Sequence, residues 1–515
     1  MSNTRTIARN AGWYGLENVV GAVVTLFTSI AIARSLGPAK MGYIIYVMWI
    51  ASVVSGLGGI GIPATTSKYM AEFVGMGDRG TARYIYFRTL LLQAGLATLA
   101  TAGILFWVLR DANSDYKVAS VLVVISIWPA MVNSISAMAN VATEELSRNM
   151  PASVISTFVY FIAIAATVVL HWGVVGVGAA FFSMRMVDFL VRFFPTLKSV
   201  LTWETTHVQP PGLSRRMMMF AWQSVASLIA ALIVWNRSEV FLLKQLCSDI
   251  RQVAYYSVAF GMADRLLIGS TIFGSATSTT IFAQYGRDKS RLSAITASSF
   301  RYLALTTIPL HFISTALAAP ALLFLYGDKY SGAVVVVMLA PLLCMPKAFM
   351  GPVQSLLQST EKQRYEILAT LLAGIIDFGV AWYLIPAYGA VGAVLGSGAA
   401  QVAACGMMWG IAIYLFKVKL PWRQVFKITF ISILASLTAH YIAVQFTPLW
   451  GILLGGSASL VVLFVLFYVM RVLESEDRNR FQILIETMPK PLARPMNKIV
   501  SLLIHPAFAT SECDK

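Results

Sequence analysis

The apolar residues of this sequence come in unbroken blocks of about 20, the length that crosses a bilayer as a helix, rather than in the periodic stripes of a soluble domain. Read as helices, the blocks fall near 13–34, 43–62, 87–109, 118–141, 151–170 and 174–194. A polar break carrying Pro210, Pro211, Arg215 and Arg216 follows, and then blocks near 217–235, 253–282, 302–325, 332–357, 367–385 and 390–416. Two more, near 425–446 and 450–470, bring the expectation to about fourteen spans. Tryptophans such as Trp13, Trp107, Trp172, Trp235, Trp382, Trp422 and Trp450 sit at block ends, where an amphipathic ring straddles the headgroup layer.

Composition agrees. At 58% hydrophobic and 12% charged residues, the chain of 515 has more apolar surface than a soluble core can hide. The net charge of +16 would suggest nucleic acid in a soluble protein. Here the basic residues gather in alternate loops, as in Lys68, Arg79 and Arg83, in Arg287, Lys289 and Arg291, and in Lys417, Lys419, Arg423 and Lys427. Such sidedness is topological: it holds one face against anionic lipid, predicts both termini in the cytoplasm, and leaves no need for a nucleic-acid partner. Cys247, Cys344, Cys405 and Cys513 are scattered, so neither a disulfide framework nor a metal cluster is expected, and no cofactor. Ala31-Ile32-Ala33 is a weak cleavage cue at the end of a first span that contains Glu17, and that span is read as retained.

The chain also repeats. Gly173-Val174-Val175-Gly176 precedes the sixth block, and Gly389-Ala390-Val391-Gly392 precedes the twelfth, about 216 residues later. Thr143-Glu144 leads into the fifth and Thr360-Glu361 into the eleventh, at nearly the same offset; Gly42-Tyr43 and Ala254-Tyr255 form a looser pair. Six spans separate the copies, an even number, so the copies share an orientation, and two pseudo-symmetric six-helix lobes are expected with a substrate path at their interface. The expected division is 1–200 for the first lobe, 201–216 for a cytoplasmic loop, 217–416 for the second lobe, 417–473 for two extra helices and 474–515 for an amphipathic tail.

Arg34-Ser35-Leu36-Gly37-Pro38 through Met41-Gly42-Tyr43 to Ile60-Gly61-Ile62 resembles the first-to-second-helix segment of the polysaccharide-biosynthesis flippases. These are the O-antigen and capsule transporters of the multidrug/oligosaccharidyl-lipid/polysaccharide (MOP) exporter superfamily. Glu239 through Tyr255-Tyr256-Ser257-Val258-Ala259 is similar to the family's seventh-to-eighth-helix segment, and Ile385 through Ala393 to its eleventh-to-twelfth-helix turn. The resemblance implies an all-α polytopic membrane protein that moves an undecaprenyl-diphosphate-linked oligosaccharide from the inner to the outer leaflet by alternating access, in a bacterial inner membrane, the family's commonest setting, or an archaeal one. It also implies membrane lipids and polysaccharide polymerase or chain-length machinery as partners, and a monomer.

A lipid-borne diphosphate and sugar chain need cations and polar groups inside the membrane, where ionisable residues are rare and mark function or internal pairs. Arg265, beside Asp264, lies about a dozen residues into its span, near mid-bilayer by the rise of about 1.5 Å per residue; a guanidinium suits phosphate oxygens. Arg185 and Asp188 stand three apart on one helical face, where they either pair with each other or meet substrate. Lys347 and Asp377 either pair across the second lobe or face a cavity. Glu17, Asn18, Arg237 and Glu239 lie on the helices that in this family flank the central opening. Arg34 is read as snorkelling to the headgroups, and Asn133, Asn140, Tyr255 and Tyr256 as helix-to-helix or sugar hydrogen bonders.

The competing readings are a cation-coupled multidrug exporter, which would lean on acidic residues, and a peptidoglycan-precursor flippase. A membrane oligosaccharide polymerase or ligase is disfavoured. The outer loops are short, His171 and His311 are isolated, and no nucleophile–base or metal-ligand arrangement is present in the sequence, so no enzyme is expected.

Overall fold

The structure, a computed structural model, describes residues 2–111, 116–205, 210–235 and 238–473, with the backbone alone for 2–20, 230–235 and a few isolated positions. Among the described residues every regular element is helical, because a backbone in hydrocarbon must satisfy its hydrogen bonds within its own segment. In chain order these are α1 (Ser2–Leu57), α2 (Ile62–Gly75), α3 (Arg79–Asp111), α4 (Lys117–Ile125), α5 (Ile127–Ala142), α6 (Asn149–Val169), α7 (Gly173–Leu201), α8 (Leu213–Trp235) and α9 (Glu239–Leu246). They continue with α10 (Arg251–Leu266), α11 (Ile268–Arg287), α12 (Leu292–Tyr326), α13 (Val334–Cys344), α14 (Met350–Ser359), α15 (Gln363–Tyr388), α16 (Ala390–Phe416), α17 (Trp422–Gln445) and α18 (Pro448–Val469).

Among the described residues, eleven helical stretches are long and apolar enough to cross a membrane. Exposed apolar side chains cover them, among them Leu91, Leu99, Ile375, Phe426 and Val444. This is a multi-pass membrane protein; the count of about fourteen stays an expectation. One stretch, Gly21–Gly75, is 55 residues long. It takes in the first two sequence blocks, and α1 breaks inside it at Gly37 (φ 72°, ψ 172°), just before Pro38. A positive φ followed by a residue without an N–H is a helix break written into the sequence.

The described residues fall into two compact units. The first holds those up to Val258 with Gly374–Gly396; the second holds Ala259–Ala373 with those from Ser397 onward. The six-plus-six lobe division drawn from the repeat remains a proposal. In the first unit, Tyr69 and Phe73 of α2, Ile85 and Tyr86 of α3, Ile135 of α5 and Met217 of α8 share a buried core. In the second, Phe300 of α12 meets Phe349 and Trp409 with ring centroids 4.9 and 4.8 Å apart. There α17 and α18 touch through small residues: a Cβ on Gly455 would lie 2.7 Å from the Ala439 carbonyl oxygen, so only glycine allows that approach.

The repeat landmarks recur as backbone geometry. Glu144 and Glu361 have φ of 59° and 58°, and Gly173 and Gly389 have 61° and 55°. The bonds match too: Glu145 N–H donates to Asn140 O and Lys362 N–H to Leu357 O, both at 2.8 Å, closing each helix with the same left-handed turn.

Candidate functional site

In the second unit two interrupted helices bring charge into the membrane domain. The predicted eighth span is broken at Leu267 into α10 and α11. The predicted tenth is broken by a short 3₁₀ turn, Met345–Phe349, where Pro346 supplies no N–H, between α13 and α14. Asp264 stands beside the first break and Lys347 inside the second, with Lys347 Nζ 4.0 Å from Asp264 Oδ1. Between the two elements the Cys344 thiol lies 3.8 Å from the Ala263 carbonyl oxygen and 3.4 Å from the Pro341 carbonyl oxygen of its own helix. Arg265 follows Asp264 and donates through Nη1 to the Gly261 carbonyl of its own helix.

Lys347 and Asp264 keep 32% and 33% of their side-chain surface uncovered by protein. Broken helices and ionisable groups at membrane depth are tolerated where they line a polar cavity. The two breaks thus bring a carboxylate, a guanidinium and an ammonium into neighbouring elements, and the last two are donors suited to an anionic group.

Of the two readings of Lys347 and Asp377, the mutual pair is not made: Lys347 goes to Asp264, while Asp377 belongs to the first unit. There Asp377 is 1% exposed, beside Glu239 at 2% and Ser238. Helix rotation decides this, since the ring of residues around an apolar helix is equivalent in sequence until packing fixes its phase.

The Arg185–Asp188 pair is not formed either. Asp188 accepts from Arg192 Nη2 at 2.8 Å and from Asn133 Nδ2 at 2.7 Å, and Arg192 continues to the Ser153 hydroxyl at 3.1 Å. Asn133 of α5, Ser153 of α6 and Asp188 and Arg192 of α7 thus form one polar tie. Sequence reasoning passed over Arg192, although the i,i+4 spacing from Asp188 was a signal as good as the i,i+3 spacing to Arg185. Asn140 is likewise engaged, donating to Asn149 Oδ1 at 2.9 Å and accepting from Thr196 at 3.1 Å. Arg185 is left stacked over the Phe181 ring at 5.2 Å, with no hydrogen bond or ion pair to a described residue. Of the remaining expectations, Glu17 and Asn18 fall on α1 but their side chains lie outside the described residues, as does Arg237 altogether. The tail from 474 is outside them too. Among the described residues no three His, Cys, Asp or Glu side chains gather as a metal site.

The family model for polysaccharide biosynthesis proteins matches residues 7–282, more than half of the chain. The chain belongs to the polysaccharide biosynthesis protein family. Solved structures share this family member's fold. The lipid II flippase MurJ, in an inward closed conformation, is 14% identical with a TM-score of 0.71, covering 88% of this chain and 98% of its own. A multidrug resistance MATE family transporter of the MOP superfamily, inward-facing, is 16% identical with a TM-score of 0.63, over 77% of this chain and 95% of its own. A MOP superfamily transporter from Pyrococcus furiosus with a binding pocket of reverse polarity is 15% identical with a TM-score of 0.55, over 80% and 96%. No curated protein matches the sequence. The fold of this polysaccharide biosynthesis protein is therefore that of the MOP transporters.

Proposed function

We propose that this polysaccharide biosynthesis protein is a flippase that moves a lipid-linked oligosaccharide of the undecaprenyl-diphosphate type from the inner to the outer leaflet by alternating access. The observation that carries the reading is the Asp264–Arg265–Lys347 cluster at two helix breaks. Its guanidinium and ammonium are donors suited to a diphosphate, and an arginine there keeps its proton when desolvated. Arg185, a cation with no ion pair among the described residues, is a second anchor for anionic cargo. The basic loops support an orientation with both termini in the cytoplasm of a cell whose inner membrane holds the protein. Translocation needs no covalent step, and the protein is proposed to act without a cofactor and as a monomer.

The test is leaflet translocation of a labelled undecaprenyl-diphosphate oligosaccharide in proteoliposomes, for wild type, Arg265→Ala and Lys347→Ala, with dye efflux as the control. Movement of the lipid-linked sugar that falls about tenfold or more in the variants supports the reading, that being the worth of one charge-assisted hydrogen bond. Dye efflux without lipid movement replaces it with drug export.

A further inference from the structure

Within the first unit, α2, α3 and α8 enclose a chamber of about 320 Å³ that belongs to none of the groups described above. Its lining is mostly apolar, with Leu92, Leu96, Met217 and Trp222 among it, and its polar members are Arg88, Ser214, Thr65 and Thr89. Met218 and Trp222 are 63% and 62% exposed, so the chamber opens to the surface of the unit.

Arg88 sits about 13 Å along α3 from Arg79 by the helical rise, level with the first turn of α8. Its Nη1 donates to the Ser214 hydroxyl at 2.8 Å and to the Tyr84 hydroxyl at 3.2 Å. Both partners are neutral, and no carboxylate of a described residue pairs with this guanidinium. The rest of its donor fork is available for a planar or tetrahedral oxyanion.

Basic residues outnumber acidic ones nearby on α2 and α8. Lys68 holds its ammonium 4.0 Å from the centre of the Phe220 ring, paired with no described carboxylate, and Arg215 follows Ser214 in the chain. Only Arg216 is balanced, by Glu72 at 3.1 Å. A guanidinium with open donors on an otherwise apolar chamber complements an amphiphile that has a negatively charged phosphate head and a hydrocarbon chain.

We infer that this chamber is a binding site for an anionic phospholipid of the surrounding bilayer, its phosphate taken by Arg88 and the upper part of one acyl chain by the apolar wall. Bound there, the lipid extends the Arg88–Ser214 link between α3 and α8. Neither the proposed cargo nor the Asp264–Arg265–Lys347 cluster is involved, so the inference stands independently of the proposed transport activity.

The test uses the full chain in nanodiscs of phosphatidylcholine, into which chain-brominated phosphatidylglycerol or chain-brominated phosphatidylcholine is titrated. Quenching specific to Trp222 is taken as wild type minus Trp222→Phe. The expected result is half-maximal Trp222 quenching at about fivefold lower mole fraction of the anionic lipid, the effect of one basic residue at an anionic surface. Arg88→Gln abolishes that preference. Leu92→Phe, which narrows the chamber and leaves Arg88 in place, reduces it as well. Equal quenching by the two lipids in wild type, or an unchanged preference in Arg88→Gln, overturns the site. Reversal of quenching by equimolar undecaprenyl phosphate also overturns it, since the chamber then belongs to the prenyl carrier.

Discussion

Removing the carboxylate of Asp188 should destabilise the first unit without touching transport chemistry. Asp188 accepts two charge-assisted hydrogen bonds, 2.8 Å from Arg192 and 2.7 Å from Asn133. Side-chain exposure is only 12% for Arg192 and 20% for Asp188. In Asp188→Ala, Arg192 keeps the Ser153 hydroxyl but loses its counter-charge, and the Asn133 amide loses its acceptor. A buried charge stripped of its partner costs about 3–5 kcal/mol, and the Asn133 bond adds to the same loss rather than independently of it. Arg192→Leu in the same background removes the orphaned cation, so the double variant should recover a good part of the loss, to within about 1–2 kcal/mol of wild type. The assay is a double-mutant cycle on unfolding by SDS titration of the detergent-purified protein, with the flipping assay alongside. A coupling energy below about 0.5 kcal/mol, the scale of independent sites, would refute the structural tie. So would loss of flipping in Asp188→Ala with unfolding unchanged, which would make Asp188 a cargo contact.

Three other outcomes follow from the geometry. Arg185→Ala, which breaks no ion pair to a described residue, should slow flipping by about tenfold while leaving the SDS unfolding midpoint in place; a shifted midpoint with normal flipping would make Arg185 structural. Gly61→Ala should cost about 1–3 kcal/mol in the same titration, because φ is +69° and a Cβ would lie 2.3 Å from the Ala221 carbonyl oxygen, whereas Gly103→Ala, with open space around it, should be neutral or slightly stabilising. With a membrane-impermeant maleimide on intact cells, Cys513 should stay unlabelled until the membrane is opened, and Cys247 should label from outside. Burial, and then Asp249, push the Cys247 thiol above its ordinary range, so its thiolate fraction is small at neutral pH and its labelling rate should rise about tenfold per pH unit below that pKa; labelling of Cys513 first would reverse the assigned orientation.

Helix positions and turns were legible in the sequence because both are local. An apolar run of bilayer length has to be helical, and a helix closed by a left-handed residue shows itself as Thr143-Glu144, Thr360-Glu361, Gly173 and Gly389, each of which takes positive φ at its second or only member. The breaks within spans were not read. Leu267 carries no breaker signal, and Pro346 alone does not distinguish a kink from an interruption. The partners of charged residues were legible only where one helix supplies both, and even there Arg192 competed with Arg185 for Asp188. Lys347 could not be assigned to Asp264 rather than Asp377, because that choice depends on how each helix is turned about its axis. A soluble amphipathic helix announces its rotation through a polar face, while a helix that is apolar on nearly every side withholds it. The rotation is then set by close contacts of small residues, as where Gly42 leaves room for the Ile250 carbonyl oxygen 2.3 Å from a would-be Cβ, and such contacts look in sequence like any other glycine in a membrane helix. In a chain of this kind, the ionisable residues most relevant to function are therefore easy to find and hard to pair. Exposure as well as pairing separates Asp188, tied at 20% exposure into a network across three helices, from Lys347 and Asp264, which meet one-third exposed at two helix breaks.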